Sequence, residues 1–518
     1  MTGDRSRASV LPSGDYRLVA PAATVWAVTV GSLYLPVGGV LVLTGTSALL
    51  CAGGLMAVRR GSVSWPVMAT AVVITGMAAV TAGAIVLRIE GRSAHPLSEG
   101  EGKVRIVATA RDDATALGFG GRVRVRVDVE QVGERRARSM SAEIAGPAQS
   151  WSDMLPGQGF SAVVRIGRAQ PAALLPMRLT AVSSPRMLGR PPPHQRLAGA
   201  VRHRFGVIAA RGLGPEAAGL LPGLVLGDTS ALDHAVRDDF RAAGLSHLIA
   251  VSGSNFAIVT GAVLLGVRML GASPRVTACF GVVVVVGFVV LVRPSPSVLR
   301  AAMMGLIALA ALAGARRAQA LPALGAATVV GLLWWPELAV APGFVLSVLA
   351  TAGLVLWSAG LRDWLRGKRL PAGIAELVAM ALAAQLVTAP MVAALSGQVS
   401  LAGLVANIVV VPVVGVVGVV GTAAAVLGSV GGVDGVGARC AELLVRALEP
   451  ELWWMLACAR VLGRQTWASI AVPEGVVGAG VVAVGIVLTC LAAARARTVG
   501  RRARRLGVAH VWHDGRRE

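Results

Sequence analysis

Three long apolar runs open the chain: Leu18–Leu35, Pro36–Val58 and Trp65–Ile89. Each approaches or reaches the length of about 20 residues that carries a helix across a bilayer. The first has the shape of a signal peptide core. Two more runs follow it at once, however, which points to retained membrane anchors. From Glu90 to about Arg196 charges return and apolar runs shrink to strand length. Gly121–Val129 alternates strictly, with valines on one face and Arg122, Arg124, Arg126 and Asp128 on the other, the period of a half-buried strand. Lys103–Ala108, Phe160–Ile166 and Met177–Val182 are further strands, punctuated by Gly118–Gly121 and Leu155-Pro-Gly157. This pattern predicts a small β-barrel or sandwich, closed by a linker at Arg190–Pro193.

Apolar runs then resume at about 246–270, 275–292, 297–315, 319–336, 339–360, 374–396, 400–428 and 475–494. Before them, Gly214–Gly244 is moderately apolar and suits helices lying at the membrane interface. Ala438–Leu462 carries Glu442, Arg446, Glu449, Glu451 and Arg460 among apolar residues, which also reads as interfacial. The tail from Arg495 to Glu518 is arginine-rich.

Composition sharpens this picture. Of 518 residues 55% are hydrophobic, and only 15% are charged, against roughly 25% in a soluble globular chain. Disordered proteins, secreted disulfide scaffolds and ordinary cytosolic enzymes are excluded. The fold class is a polytopic α-helical membrane protein with a small β-domain. The net charge is +22 and only Lys103 and Lys368 are lysines, so the basic residues are overwhelmingly arginine, a bias that by itself carries no sign of phosphate recognition. Cys51, Cys279, Cys440, Cys458 and Cys490 form no C-x-x-C pair and have no histidine cluster beside them. They read as packing residues, with no metal site and no cofactor.

Loop charge sets the orientation. Arg5, Arg7 and Arg17 precede the first run and Arg59-Arg60 separate the second from the third, so both places are expected in the cytoplasm. The third run then exits, which makes the β-domain extracytoplasmic. Alternation puts Arg316-Arg317, Arg362–Arg369 and the tail inside, with both termini cytoplasmic. Eleven spans leave the two ends on opposite sides, so one crossing is miscounted. The segments at issue are 400–428, which can re-enter, and 438–462, which can cross.

Polar groups within spans are costly and are candidates for function. In Ala243–Phe256, His247, Ser252, Gly253, Ser254 and Asn255 interrupt an apolar run, and Gly253 between serines can break the helix and free its backbone toward a polar cavity. Arg293 sits at a span end, where it can snorkel; Arg300 lies within the next run, where it must find a carboxylate, a carbonyl cluster, water or a phosphate unless it too snorkels to the interface. Pro342 and Gly343 break the span region. Pro390 interrupts a helix that also carries Gln385 and Thr388, whose hydroxyl can satisfy the carbonyl freed by the proline. Asn407 lies in Val399–Asn407, with Pro412 downstream. Each of these has a plain architectural reading as helix bends and caps. A membrane serine hydrolase using Ser252 and His247 is a rival, weakened because G-x-S-x-G is absent and no carboxylate is placed to orient the histidine.

Taken in order, these segments resemble the ComEC family of DNA-internalisation competence proteins. The phrase Leu226-Gly-Asp228, the run Gly244-Leu-Ser-His-Leu-Ile-Ala-Val-Ser-Gly253, the Arg300-Ala pair, Pro342-Gly-Phe-Val-Leu-Ser347, Thr388-Ala-Pro390 and Ser400-Leu…Asn407…Pro412 follow the family's sequence of motifs. The resemblance spans roughly residues 20–495. It implies N-terminal transmembrane helices over 1–90, an OB-like β-domain over 91–195, a competence-type channel domain over 196–495 and a basic cytoplasmic tail over 496–518. It also implies a channel in the cell membrane that imports single-stranded DNA during natural transformation. The DNA path would be lined by His247, Ser252, Gly253, Ser254, Asn255, Arg300, Gln385, Thr388 and Asn407, with Pro342, Gly343, Pro390 and Pro412 as structural breaks. Arg122, Arg124 and Arg126 become candidate contacts for the DNA backbone.

The expected partners are single-stranded DNA, the bilayer, a DNA receptor, a separate nuclease and a cytoplasmic translocation ATPase. Three departures stand out. Asn255 replaces a frequent histidine, Val345 replaces a frequent glutamine, and His510, His513 and Asp514 do not form the H-x-H-x-D-H pattern of a metallo-β-lactamase-type nuclease. No enzymatic activity is therefore expected. A small-molecule or lipid transporter on the same fold is the alternative.

Overall fold

The computed structural model describes residues 15–60, 65–99, 102–117, 121–167, 174–249, 251, 253–314, 319–431, 435–465, 467–492 and 495. Ser252, Phe119, Arg5, Arg7, Arg316-Arg317 and the tail 496–518 lie outside the described residues. The N-terminal group is α1 (Val19–Tyr34), α2 (Val37–Arg59) and α3 (Trp65–Ser93), and one turn of helix, α4 (Pro96–Glu99), leads into the β-domain.

That domain contains β1 (Lys103–Ala110), the two-residue β2 (Thr115–Ala116), β3 (Arg122–Val132), β4 (Arg135–Pro147), the single-turn α5 (Ala148–Trp151), β5 (Gly159–Ile166), β6 (Met177–Ala181) and the short β7 (Arg186–Met187). β1 pairs with both β3 and β5, so the order β1-β3-β4-β6-β5 closes on itself, with β4 and β6 parallel. Five main strands in a closed mixed barrel make the OB-like topology. The valines of β3 point inward and its arginines outward, as the alternation requires. β4 is the longest strand, yet the apolar pattern does not reveal it. Its inward positions are Met140, Ala142, Ile144 and Gly146, largely too small to stand out against three arginines and a glutamate. Gly146 is obligatory, because a Cβ there would lie 2.7 Å from the Trp151 ring, which closes the barrel edge-on against Phe160.

The second half contains α6 (Pro193–Gly212), α7 (Pro215–Leu226), α8 (His234–Ala242), α9 (Ser246–Ile249), α10 (Gly253–Met269), α11 (Pro274–Val292), α12 (Pro296–Ala313), α13 (Ala320–Trp334), a 3-10 turn at Pro336–Val340, α14 (Pro342–Arg366), α15 (Ala372–Ser396), β8 (Gln398–Ser400), α16 (Ala402–Ser429), α17 (Val436–Ala447), α18 (Glu449–Gly463), β9 (Ser469–Ala471) and α19 (Gly475–Ala492). Among the described residues eight helices are long and apolar enough to cross a membrane, and α1, α10 and α13 are shorter apolar helices. The protein is a polytopic helical membrane protein with an OB-like β-domain.

Several expectations need correction. The run 246–270 is not one helix: it breaks after Ile249 and restarts at Gly253. Gly214–Gly244 does not lie wholly on a surface: α8 keeps an exposed polar face, whereas α7 is enclosed. α7 is apolar all round and is buried from Gly219 to Leu226, as such a helix must be. It packs with α6, α8, α16, α17 and α18 in the largest core cluster. The run 400–428 is a single 28-residue helix and does not turn back. The segment 438–462 does not cross as one helix. It divides at Leu448, because Pro450 opens a new helix and restricts the residues before it.

α1 and α13 lie side by side with their first residues together: Asp15 N–H donates to Gln319 Oε1 at 3.3 Å, and Leu18 packs on Gly325. At the far end of α13, the Leu333 and Trp334 carbonyls accept from Arg88, near the end of α3 that leads to the barrel. The start of α1 and the barrel therefore lie at opposite ends of this helix group.

The barrel is tied to the second half by buried charge. Arg293 does not snorkel. It is 9% exposed and donates to Asp113 Oδ2 at 2.8 Å and to Gln195 Oε1. Asp113 stands in the loop after β1 and also faces Arg202 of α6 at 3.6 Å. Arg202 in turn faces Asp228 at 3.7 Å and donates to the Leu226 and Leu291 carbonyls. These partners hold Arg293 in a backbone conformation with φ of +77°, which side-chain-bearing residues rarely adopt. Replacing Asp113 by Ala leaves Arg293 without a carboxylate and Arg202 with Asp228 alone. It is expected to weaken barrel docking by about 1–3 kcal/mol, read as faster proteolysis at Arg190–Pro193 in membranes. A cleavage rate equal to that of the parent would show that the ion pairs do not hold the domain.

Candidate polar path in the membrane domain

The break between α9 and α10 places Gly253 at the start of a 17-residue helix, so the first backbone N–H groups of α10 have no partner within the helix. This end abuts Arg300. A Cβ at Gly253 would lie 2.7 Å from a guanidinium nitrogen and would push that group aside. Arg300 is 6% exposed on α12. Its Nε donates to Ser347 Oγ of α14 at 2.8 Å, and Nη1 approaches Met304 Sδ at 3.0 Å. Among the described residues no carboxylate lies within ion-pair distance of Arg300. Its surroundings are a hydroxyl, a thioether and the positive end of a helix dipole. Asn255, on the first turn of α10, is 4% exposed and its Nδ2 donates to the Leu224 carbonyl at 3.4 Å.

A second group forms around the start of α16. Ser400 Oγ accepts from Gly403 N–H at 2.9 Å, capping that helix, and the Ser400 carbonyl accepts from Gln385 Nε2 of α15 at 3.1 Å. Gly244 closes on the same place with φ of +73°; a Cβ there would meet Ser400 Oγ at 2.7 Å and Gly403 Cα at 2.9 Å. Three residues on, His247 keeps an accessible side chain. His247 makes no hydrogen bond or ion pair with a carboxylate among the described residues. Asn407 of α16 has a buried Oδ1 with no hydrogen-bond donor among them.

The predicted residues thus fall into two contact groups, one holding Gly253, Arg300 and Ser347, the other Gln385, Ser400 and the Gly244–His247 turn. The rest have other roles. Thr388 does not satisfy the carbonyl that Pro390 frees; its hydroxyl bonds the Ala384 carbonyl at 2.9 Å, one turn below itself. Pro342 and Gly343 start α14 rather than kink it, with Gly343 beside Pro296. Pro412 is exposed on the outside of α16. On the barrel, Arg126 pairs with Asp112 at 2.7 Å and Arg124 with Glu143 at 3.8 Å, so of these three arginines Arg122 alone has no carboxylate partner among the described residues. Arg202 and Asp113 were not anticipated. The signal for α6 was present, since Pro193 opens it and Ala198, Phe205, Ile208 and Ala209 recur with helical spacing.

Gly244→Ala is expected to cost about 2 kcal/mol or more, combining an unfavourable φ with a clash against backbone. Gly261→Ala, in open space, provides the control. The comparison is made by thermal unfolding in detergent, and equal midpoints would refute the close approach.

A family model described as Competence protein matches residues 224–498, slightly more than half of the chain. ComE operon protein 3 of Bacillus subtilis is 26% identical over 200 residues, which is 39% of this chain and 25% of that protein. The match spans about a quarter of that relative's length. No solved structure matches.

Proposed function

The chain belongs to the Competence protein family, and on that premise we propose that it forms the passage through which one strand of DNA enters the cell. The observation that carries the reading is Arg300. An arginine buried in a membrane domain costs about 2.5–3.5 kcal/mol even on permissive scales, and it is retained where something functional meets it. Here the residue is surrounded by neutral groups and a helix N-terminus, both of which suit an anion and neither of which neutralises the guanidinium. A phosphate moving past it supplies the missing charge.

The walls of such a path need hydrogen-bonding groups rather than a second charge, so that the strand is held weakly enough to move. Asn255, Gln385, the Ser400 backbone, Asn407 and the accessible His247 are of that kind. In this reading the barrel stands outside the cell and both termini stand inside, in line with the barrel and the start of α1 lying at opposite ends of their helix group. The barrel contributes docking rather than an arginine track, because Arg124 and Arg126 are already paired. The chain is then a conduit. DNA capture, strand degradation and the driving force come from a receptor, a nuclease and a translocation ATPase that act with it.

The test is internalisation of labelled DNA by cells carrying Arg300→Ala, Arg300→Lys or the parent protein at equal level. Arg300→Ala is expected to lower internalised DNA at least about tenfold, the scale of one charge-assisted hydrogen bond. DNA held at the cell surface should stay unchanged, and Arg300→Lys should recover part of the loss. Parent-level internalisation with Arg300→Ala would refute the path.

A further inference from the structure

Away from that path, a cavity of about 450 Å³ opens where the end of α3 meets the β3–β4 hairpin. It is lined by Gly91, Ala94, His95 and Pro96 on one side and by Arg135, Arg136, Ala137 and Arg138 on the other. Strand geometry explains the arginines. Met140, Ala142 and Ile144 point into the barrel, whereas Arg135, Arg136 and Arg138, at the hairpin end of β4, are exposed. The register shifts between Val129 and Gln131, leaving Ala137, Arg138 and Ser139 without register partners. The three arginines are exposed, and among the described residues none has a carboxylate within ion-pair distance; the barrel's ion pairs belong to Arg111, Arg124 and Arg126.

His95 forms the floor. It is 3% exposed, and its Nδ1 accepts the Leu97 N–H at 3.2 Å, which leaves the ring proton on Nε2. Leu97 is fully buried in the barrel core and fixes the turn. Burial, chiefly, and the charge of Arg92 push the imidazole below the ordinary histidine range, opposed by the Val129 and Arg138 carbonyls that face it. Those carbonyls do not lie in hydrogen-bonding geometry with Nε2, whose N–H is buried with no partner among the described residues. A buried donor without a partner costs about 1–3 kcal/mol, and three unpaired guanidiniums border the same space.

We propose that this cavity binds the phosphate of an anionic phospholipid headgroup from the leaflet on the barrel's side. The depth of the site selects lipid. α3 is one of the helices that can cross the membrane; its apolar run closes at Ile89, where Arg88, Glu90 and Arg92 begin the polar end of the helix, and the helix itself ends at Ser93, two residues before His95. The cavity therefore sits where that helix leaves the hydrocarbon, at the level of the headgroups. Basic side chains at that level attract anionic lipid, and the Nε2–H supplies a directed bond to a phosphate oxygen. The lipid pins the hairpin to the membrane surface and sets the height of the barrel above it. This site does not depend on the passage of DNA.

The test uses the full chain in nanodiscs holding equal parts phosphatidylglycerol and phosphatidylcholine. After release into mild detergent, native mass spectrometry counts the lipid that stays bound. The parent is expected to retain phosphatidylglycerol preferentially. Arg135→Gln/Arg136→Gln/Arg138→Gln, with the melting midpoint of the parent, should lose about tenfold of that preference. Arg186→Gln, exposed elsewhere on the barrel, should keep it. An undiminished preference in the triple variant overturns the proposal. So does unchanged lipid retention with weakened binding of a single-stranded oligonucleotide, which would assign the cavity to DNA.

Discussion

A guanidinium removed from water keeps its charge at any accessible pH, so the protein around it must supply compensation. Three buried arginines divide this molecule by how that demand is met. Arg202 and Arg293 are met by carboxylates, Asp113 and Asp228, and the result is a fixed joint between the barrel and the helices. Arg300 is met by a hydroxyl, a sulfur and a helix end, and the result is a site with charge left over. The same side chain therefore serves as a rivet in one place and, in the proposed passage, as a receptor in another. The difference lies entirely in whether an acid stands opposite.

The backbone of the membrane domain follows a parallel rule. In a medium without water each helix end must be capped, buried in protein or turned toward a polar space. α16 is capped by Ser400, while α10 begins against Arg300. The glycines at 244 and 253 serve these ends by close approach, one to the Ser400 cap and the other to a charge. Their placement explains why the motifs that carry the family likeness are rich in glycine and small polar residues.

Much of this was legible in the chain. The apolar runs locate the long helices to within a few residues, and the alternation of Val and Arg in β3 fixes its faces. The polar break before Phe256 and the placement of Arg300 within an apolar run were also readable, whereas the absence of a carboxylate beside that arginine was not, because its neighbours come largely from other helices. What escaped did so for physical reasons. β4 hides because barrel interiors accept alanine and glycine. α7 passes for interfacial because twelve residues are too few to span, and only its neighbours show it buried. Arg293 passes for a snorkelling residue because its partner, Asp113, lies far away in sequence on another domain. Pairings of that kind follow from topology, which local pattern does not contain.

The burial of α7 bears on how the protein is made. The helix is too short to hold a place in the bilayer alone and too apolar to rest in water. Beside α6, the surfaces that cover it belong in large part to α16 and α18, which leave the ribosome long after it does. During synthesis α7 must wait, sheltered by the insertion machinery or by lipid, until the last third of the chain arrives. Assembly of the membrane domain is thus governed by its closing helices, and a nascent chain halted before α16 would carry an uncovered apolar segment of the kind that quality-control proteases recognise.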